Sequence, residues 1–315
     1  MRVVVTGGAG FIGYHLTRAL RQRGDDVIVY DNMSGAGTER IRSLEGVDLA
    51  EDDILNAASL QAACRGAEVI YHFAAQVSVP YSMTEPCPDA DINVKGTLNV
   101  LETARLVGAK LVFASSAAVY GHPKITPIPE SHPLAPISFY GLSKACAELY
   151  CEMYSNAFEL PITIFRLFNV YGPHCHGVVY DLLRRLHENN SHLQVLGRPD
   201  GSKDFIYVSD AIEAITAPLE HDKERGIEVY NIGSGLSSTI DSLVLGLCRV
   251  LHVNPTILFT GSSWAGDVTK GLRADLSKVR ARFGWQPNTG IMEGLERTAE
   301  WFQTTIATKL ELGGA

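Results

Sequence analysis

The sequence predicts a doubly wound α/β fold, and three observations lead to that prediction. Apolar, β-branched runs such as RVVVT alternate with segments of helical periodicity through the first half of the chain. These runs are apolar at successive positions, which is typical of parallel strands covered by helices on both faces. A glycine-rich turn, TGGAG, joins the first strand to the first helix. Together these features predict a parallel sheet that is wound in two halves, with helices on either side.

The predicted elements follow one another along the first half of the chain. In order, they are the strand RVVVTG, a helix from Phe11 closed by Gly24, the strand DVIVYD, short strands around VDLAEDD and EVIYHFAA, the helix DINVKGTLNVLETARLVG, the strand AKLVFASS, the helix carrying Tyr140, and the strand ITIFRLFNVYG. After about Gly172, clusters of Pro, Gly and Asp separate shorter elements. We therefore predict a nucleotide-binding domain over residues 1–172 and a smaller, mainly substrate-binding lobe over residues 173–315, between which the chain can cross.

Composition and charge narrow the function. The 315 residues carry a net charge of −8, which argues against nonspecific binding to nucleic acid or to an acidic membrane. The six cysteines are scattered, with no C-x-x-C pair and no histidine at zinc-ligand spacing, so we expect reduced thiols and no metal site. No apolar run reaches membrane-spanning length, and the chain begins directly in a strand. We expect a cytoplasmic enzyme.

The glycine turn predicts a dinucleotide site. Gly8, Gly10 and Gly13 satisfy G-x-G-x-x-G, and Gly7 with the last two also satisfies G-x-x-G-x-x-G. Residues without a Cβ let backbone N–H groups approach a pyrophosphate at the N-terminus of the helix. Asp31 ends the second strand, where a carboxylate accepts hydrogen bonds from ribose hydroxyls and repels a 2′-phosphate. The sequence therefore predicts NAD as the cofactor rather than NADP.

A tyrosine and a lysine one helical turn apart connect this domain with a known family. Taken alone, the spacing of Tyr140 and Lys144 is equally typical of an ordinary amphipathic helix. The glycine turn, Asp31, YHFAA, ASSAAVYG and the Tyr-x-x-x-Lys pair, in this order, resemble the extended short-chain dehydrogenase/reductases. More narrowly, the chain resembles the NAD-dependent epimerase/dehydratase family that acts on nucleotide sugars, with the UDP-glucose 4-epimerases as the nearest type. The similarity continues through FNVYGP, DFIYVSDA, YNIGSG, GDV, ADLSK and GLERTAEWF.

The resemblance implies a Rossmann fold, NAD and a set of site residues. Tyr140 would be the general base, Lys144 would lower its pKa, and Ser116 would hydrogen-bond the same substrate hydroxyl. The residues that would hold NAD are Gly7, Gly10, Phe11, Ile12, Gly13, Asp31, Asn32, Ser34, Ala36, Asp53, Ile54, Ala74, Gln76, Asn93, Tyr140, Lys144 and Val170. The residues that would hold the nucleotide sugar are Ser78, Ser116, Asn169, Val178, Leu196, Lys203 and Trp264. Two alternatives stay open: Asn93 can serve helix packing, and Val178 and Leu196 can be core residues of the second lobe.

The implied chemistry is oxidation at carbon 4 of the sugar, through a transient 4-keto sugar and NADH. Dehydratases of the family usually carry Asp-Glu directly after the serine, but this chain has Ala117 and Ala118. Since alanine transfers no proton, we predict a 4-epimerase acting on a UDP-hexose or a UDP-N-acetylhexosamine. The alternative is a dehydratase of 4,6- or 5,6-elimination, in secondary-metabolite sugar biosynthesis, with His174 or Cys175 as acid and base. A cofactor-sensing regulator without catalysis is disfavoured because the Ser, Tyr and Lys are all retained.

Several departures from the family pattern predict a reshaped substrate pocket. Lys203 and Trp264 stand where diphosphate-binding arginines are usual. Lysine can still neutralise a phosphate, although it lacks the bidentate fork of arginine. Gly271 lies near a position where relatives place a bulky side chain beside carbon 2, which would leave room for an acetamido group, unless Leu272 holds that place. The helices through Asn93 and Tyr140 carry apolar residues on more than one face, so we expect a homodimer.

Overall fold

The structure, a computed structural model, describes residues 1–35, 41–42, 44–217, 226–261, 267 and 271–312, with only the backbone of 306–312. Its centre is a sheet of seven parallel strands in the order β11-β6-β5-β4-β1-β2-β3. These strands are β1 Arg2–Thr6, β2 Asp26–Asp31, β3 Val47–Glu51, β4 Val69–His72, β5 Lys110–Ser116, β6 Ile162–Leu167 and β11 Ile227–Ile232. The predicted Rossmann fold is confirmed.

Helices cover both faces of the sheet. The α-helices are α1 Phe11–Gln22, α2 Ala57–Ala63, α3 Val79–Thr84, α4 Pro86–Ala90, α5 Thr97–Val107, α6 Phe139–Phe158, α7 Val178–Glu188, α8 Val208–Thr216, α9 Ile240–Leu251, α10 Ser277–Phe283 and α11 Ile291–Leu312. Alternate residues of β1 belong to two different cores, since Val3 and Val5 pack with α1 while Val4 packs with α2 and α5. Two-sided burial explains why the strands are apolar at every position.

Two predicted elements differ in detail from the structure. The helix predicted through DINVKGTLNV begins as a π-helix over Asp91–Gly96 and becomes α-helical only at Thr97. The strand predicted over ITIFRLFNVYG is divided into β6 and β7 Asn169–Tyr171, because Phe168 N–H donates to Ile232 in the main sheet while β7 pairs with a different strand. The division turns the chain after β6 away from the sheet and toward the second half.

The second half of the chain builds three small sheets beside the large one. They pair β7 with β10 Phe205–Tyr207, β9 Ser202–Lys203 with β12 Ser238–Thr239, and β8 His192–Val195 with β13 Thr256–Phe259. Strand β11 then returns to the large sheet and pairs with β6. The chain thus returns to the large sheet after residue 172, and the division into two parts stays a prediction.

Neither a membrane-spanning helix nor a metal-binding cluster is present in the described ranges. None of their helices is both long enough and apolar enough to cross a membrane. Within the same ranges, no three His, Cys, Asp or Glu side chains are grouped so that they could hold a metal ion. All six cysteines are free thiols.

Candidate active site

A cavity of about 1270 Å³ opens at the carboxyl ends of the central strands. Its wall includes Gly7 after β1, Asp31 at the end of β2, Phe73 after β4, Ser116 at the end of β5 and Phe168 after β6. This edge is where open parallel α/β sheets bind their ligands. The cavity is therefore the candidate active site.

The glycine turn shapes the first part of the cavity. Gly7 has φ +71°, and a Cβ there would overlap the backbone of Phe73 and Ala74. A Cβ on Gly13 would collide with the carbonyl of Gly7, so the first turn of α1 must pack directly on the loop. Gly10 caps α1 without any side chain, and Phe11 and Ile12 of the first turn line the cavity. A helix N-terminus left open in this way fits a pyrophosphate, as NAD requires.

Asp31 and its neighbours form the end of the cavity where the adenosine of NAD is expected. Asp31 accepts hydrogen bonds from Ala9 N–H at 2.9 Å and Met33 N–H at 2.8 Å, and a carboxylate has room for further donors such as ribose hydroxyls. Asn32 donates to Asp53 at 2.8 Å, which ties the two loops together. Ala36 lies outside the described residues.

Helix α6 presents the catalytic candidates. Its N-cap, Ser138, accepts from Gly141 N–H at 3.0 Å, and Tyr140 N–H donates to Ser82 Oγ at 3.0 Å, so the first turn is fixed at both ends. Tyr140 and Lys144 both line the cavity, one turn apart. Ser116 reaches the same place from the end of β5, and its hydroxyl hydrogen-bonds the Tyr140 phenol. The three residues that we predicted as catalytic are therefore brought together.

The electrostatics of this trio differ from our expectation. Burial raises the pKa of Tyr140 above its ordinary value, the hydrogen bond with Ser116 lowers it, and the charge of Asp89 raises it further. We expected Lys144 to lower the pKa of Tyr140, but in this structure the lowering comes from Ser116. Lys144 Nζ instead donates to the carbonyl of Ala114 at 3.0 Å.

Lys144 sits in an apolar position. Its ammonium lies 4.9 Å from the centre of the Phe113 ring, and the residue is 3% exposed. Burial lowers the pKa of Lys144 to about 8, while the charges of Asp89 and Glu148 oppose this shift. His72 lies beside Phe113 in the neighbouring strand β4, and burial together with Lys144 lowers the pKa of His72 to about 3, so His72 stays neutral. The pKa of Lys144 therefore lies close to neutral pH, and small changes of charge nearby will alter the protonation of this residue.

The far end of the cavity contains Asn169, Lys203 and Leu272. Lys203 Nζ forms an ion pair with Asp267 at 2.6 Å, with side chains only 17% and 14% exposed. Gly271 has φ +86° and its Cα faces Pro123, whose Cγ would lie 3.1 Å from a Cβ at that position. Leu272, and not Gly271, lines the wall, which weakens the argument from glycine for a widened sugar pocket; room for an acetamido group stays a prediction.

Most of the predicted site residues line this one cavity. The wall contains Gly7, Gly10, Phe11, Ile12, Gly13, Asp31, Asn32, Ser34, Asp53, Ile54, Ala74, Gln76, Ser116, Tyr140, Lys144, Asn169, Val170 and Lys203. Asn93 is buried beneath it and holds Gln76, since it accepts from Gln76 N–H and donates to Gln76 C=O, both at 3.0 Å.

Three predicted substrate residues that the structure describes are not part of this wall. Ser78 caps α3, Val178 begins α7 and packs on the core, and Leu196 is 48% exposed. Trp264 lies outside the described residues. Their roles toward a nucleotide sugar stay predictions.

Sequence reasoning missed some residues of the wall. Asp267 is the aspartate of the GD motif, and the sequence analysis assigned no role to its carboxylate. His176, Tyr180 and Trp301 also line the cavity, and they come from a short loop and from α7 and α11. Helical periodicity marks Trp301 as inward-facing but carries no signal of which inner surface it meets.

Comparison with known proteins gives a consistent result. The model of the NAD dependent epimerase/dehydratase family matches residues 3–233. The putative UDP-glucose 4-epimerase of Methanocaldococcus jannaschii is 32% identical over 316 residues, covering 97% of this chain and 100% of that protein. UDP-glucuronic acid decarboxylase 1 of Xenopus tropicalis is 30% identical over 320 residues, covering 97% of this chain and 73% of that protein.

Solved structures agree with the sequence comparison. The crystal structure of UDP-glucose 4-epimerase from Thermotoga maritima with UDP-glucose has a TM-score of 0.91 and 32% identity, covering 97% of this chain and 100% of that one. The chain belongs to the NAD-dependent epimerase/dehydratase family and is an enzyme that uses NAD.

Proposed function

We propose that this enzyme is a UDP-sugar 4-epimerase that acts through a 4-keto sugar. The observation that carries the proposal is the meeting of Ser116, Tyr140 and Lys144 in one cavity, beside Ala117 and Ala118. This arrangement offers one base at the reacting hydroxyl and no carboxylate adjacent to Ser116. Such a site can remove and return a proton on one oxygen, which is the proton chemistry that epimerisation needs.

Each residue of the trio has a separate task. Ser116 holds the hydroxyl on carbon 4 so that its proton points toward the phenol oxygen of Tyr140. Tyr140 takes that proton and later returns it to the same oxygen, while the nearby ammonium of Lys144 favours the phenolate in the assembled complex. Bound NAD supplies the acceptor for the hydrogen on carbon 4. Inversion then requires that the ketone be presented by its other face before the hydrogen is returned.

The structure gives little support to elimination as the alternative. Burial raises the pKa of the Cys175 thiol to about 11, so this candidate stays protonated near neutral pH and cannot act as a base. The His174 ring packs against Trp301, with ring centres 4.8 Å apart, and against Tyr14 at 5.2 Å. Packing of this kind suits a structural ring better than a proton carrier.

The charge of the wall favours a neutral hexose. Among the described residues, arginine is absent from the cavity wall, whereas a carboxylated sugar would call for the bidentate contact that arginine makes. Lys203 and Asp267 instead suit the diphosphate and ribose of UDP, respectively. A UDP-hexose is the proposed substrate. A UDP-N-acetylhexosamine stays a prediction, since Leu272 rather than glycine borders the cavity.

Proton NMR of a small panel tests the reaction and the substrate together. The enzyme is incubated separately with UDP-glucose, UDP-galactose, UDP-N-acetylglucosamine and UDP-glucuronic acid. UDP-glucose and UDP-galactose are 4-epimers of each other, so the reaction is followed from both directions. We expect UDP-glucose and UDP-galactose to give the same final mixture of the two 4-epimers. A new methyl group, an alkene signal or loss of carbon 6 from the acid would overturn the proposal. Unchanged spectra of both UDP-glucose and UDP-galactose would also overturn it.

We also propose a homodimer formed through α5 and α6. The exposed face of α6 carries Leu142, Leu149 and Met153, which are 47%, 57% and 61% exposed, and Leu106 of the adjacent α5 is 51% exposed. Apolar side chains at this helical spacing suit the same surface of a second copy. Leu149→Asp should yield monomers in sedimentation, whereas Leu245→Asp, at an exposed position of α9, should not. A wild-type monomer at micromolar concentration would contradict the proposal.

The free cysteines support a cytoplasmic location as part of this proposal. Cys64, Cys151 and Cys175 are buried and none of the six is cross-linked. A protein with such thiols is typical of a reducing compartment. Cell fractionation with an antibody against the chain would test the location.

A further inference from the structure

Asp89 is a buried carboxylate that the mechanism above leaves unused. It lies in α4 and is 1% exposed. Its Oδ1 accepts hydrogen bonds from Gln76 Nε2 at 2.6 Å and from Asn93 Nδ2 at 3.1 Å. Its Oδ2 is also buried and has no hydrogen-bond partner in the described part of the chain. A buried charged oxygen without a partner is costly and calls for an explanation.

Hydrogen bonds connect Asp89 to the catalytic helix. Asn93 Nδ2 donates to Ser143 Oγ at 3.1 Å, and Ser143 Oγ donates to the backbone carbonyl of Tyr140 at 3.0 Å. On the other side, Gln76 lines the cavity. Asp89 therefore lies directly behind the reaction centre, between the cavity wall and the turn of α6 that carries Tyr140.

Asp89 also acts on the charge of Lys144, and it forms no ion pair with a cation among the described residues. The charged and titratable groups around Lys144 are Asp89 from α4, Glu148 and Cys151 from α6, His72 from β4 and Tyr140. Glu148 is already ion-paired with Arg166 at 2.7 Å. Asp89, by contrast, accepts only from neutral amides.

We propose that Asp89 is a positioning residue that sets the pH range of catalysis: its charge stabilises the ammonium of Lys144 and the neutral phenol of Tyr140 before substrate binds. The proposal rests on the epimerase proposal for its kinetic readout. Consistent with it, the negative charge of Asp89 raises the pKa of both Lys144 and Tyr140.

The sign of the effect follows directly. Catalysis needs Tyr140 without its proton and Lys144 with its proton, so the two limbs of the pH profile report the two apparent pKa values of this pair. Removing the charge of Asp89 lowers both pKa values. The acid limb and the alkaline limb of the pH profile should then both move to lower pH.

Asp89→Asn is the variant of choice. The amide can keep its oxygen toward Gln76 and Asn93, with its nitrogen in place of the unpartnered Oδ2. We expect both limbs of the kcat profile to move down by on the order of one pH unit. Asp91→Asn is the control, because it removes the same charge from an exposed position two residues away and should leave the limbs in place.

A second variant guards against a folding defect in the first. Gln76→Lys places a cation against Asp89 and so neutralises its charge without altering the carboxylate itself. It should move the limbs in the same direction as Asp89→Asn, whatever its effect on KM. Lower turnover at every pH with unmoved limbs, in whichever of the two variants folds, would show a purely structural role and overturn the proposal.

A measurement without substrate separates this proposal from the epimerase proposal. The ultraviolet absorbance of phenolate is titrated in the enzyme and in its Tyr140→Phe variant, and the difference reports Tyr140 alone. The same pair of titrations in the Asp89→Asn background should give a lower midpoint. An unchanged midpoint would refute the role of Asp89 even if epimerisation is established, and a lowered midpoint would support it even if the reaction proves to be another.

Discussion

The two ends of the cavity are built in different ways. At the cofactor end, backbone meets backbone: Gly7 lies against Phe73 and Ala74, and Gly13 against the carbonyl of Gly7, with no room for a Cβ. At the substrate end, side chain meets side chain, as in the ion pair of Lys203 with Asp267. Where backbone packs on backbone, only glycine can be accommodated. Where side chain packs on side chain, many combinations of residues can fill the same space. Close adherence to the family pattern at the first end and departure from it at the second are therefore expected.

The secondary structure that carries the loops also differs between the two ends of the cavity. The cofactor end rests on the parallel strands β1, β2 and β4 of the large sheet, whose register fixes where each loop emerges. The substrate end rests on strands of two or three residues, β9, β10 and β12, and on single bridges such as that of Lys203 with Leu272. Short elements impose less on the loops that they carry, so substrate preference can change without disturbing the cofactor.

The largest effect is expected where the two ends meet. Tyr140→Phe should lower kcat by roughly 10²- to 10⁴-fold, because a general base is lost while the ring still fills its place. NAD should remain bound, since the glycine turn is untouched. Turnover is measured with UDP-glucose, and Tyr150→Phe, on an exposed turn of the same helix, serves as the control. Retention of more than about a tenth of the activity would show that Tyr140 is not the base.

The next largest effect tests the backbone fit of the cofactor end. Gly13→Ala forces α1 away from the loop, and overpacking of this kind costs about 1–3 kcal/mol or more. We expect NAD affinity to fall by at least roughly tenfold, as measured by calorimetry on the NAD-free protein. Gly290→Ala is the matched control, because nothing lies within 4 Å of a Cβ at that position. Equal NAD affinity in both variants would mean that the turn is not the pyrophosphate site.

A smaller effect is expected at the substrate end. Lys203→Met should raise KM for UDP-glucose by roughly tenfold, the loss of one charged hydrogen bond, without changing NAD affinity. Lys203→Arg should restore binding, since the guanidinium can also contact phosphate. The control is Lys278→Met, which breaks the exposed pair with Glu228 at 2.8 Å. An unchanged KM in Lys203→Met would remove Lys203 from the diphosphate site.

The smallest effect concerns the choice between NAD and NADP. Asp31→Asn removes the charge that repels a 2′-phosphate, so the preference for NAD should weaken by several-fold while NAD itself still binds. The loss is limited because Asp31 also accepts from Ala9 and Met33, and the amide oxygen keeps part of that role. Competition of the two dinucleotides for the NAD-free protein measures the ratio. Comparable affinity of the wild-type enzyme for NAD and NADP would contradict the role of Asp31 in selecting NAD.

The same contrast explains how far the sequence could be read. The order of strands and helices, the glycine turn and the trio of Ser116, Tyr140 and Lys144 follow local patterns with strict spacing, and the structure agrees. The roles of Gly271 and Leu272 could not be decided, because a one-residue shift in a loop exchanges their places. Asp89 gave no signal either, since a carboxylate in a short helix is usually solvated and only tertiary packing shows it to be buried.

Deuterium transfer at carbon 4 tests the central claim most directly. UDP-glucose carrying deuterium at carbon 4 is converted in ordinary water, unlabelled UDP-glucose is converted in heavy water, and both products are examined by NMR. If Tyr140 handles only the hydroxyl proton and the hydrogen on carbon 4 leaves and returns within the closed site, the first product will keep its deuterium at carbon 4 and the second will gain no deuterium at carbon 5. Loss of the label from carbon 4, or solvent exchange at carbon 5 with loss of water, would contradict epimerisation.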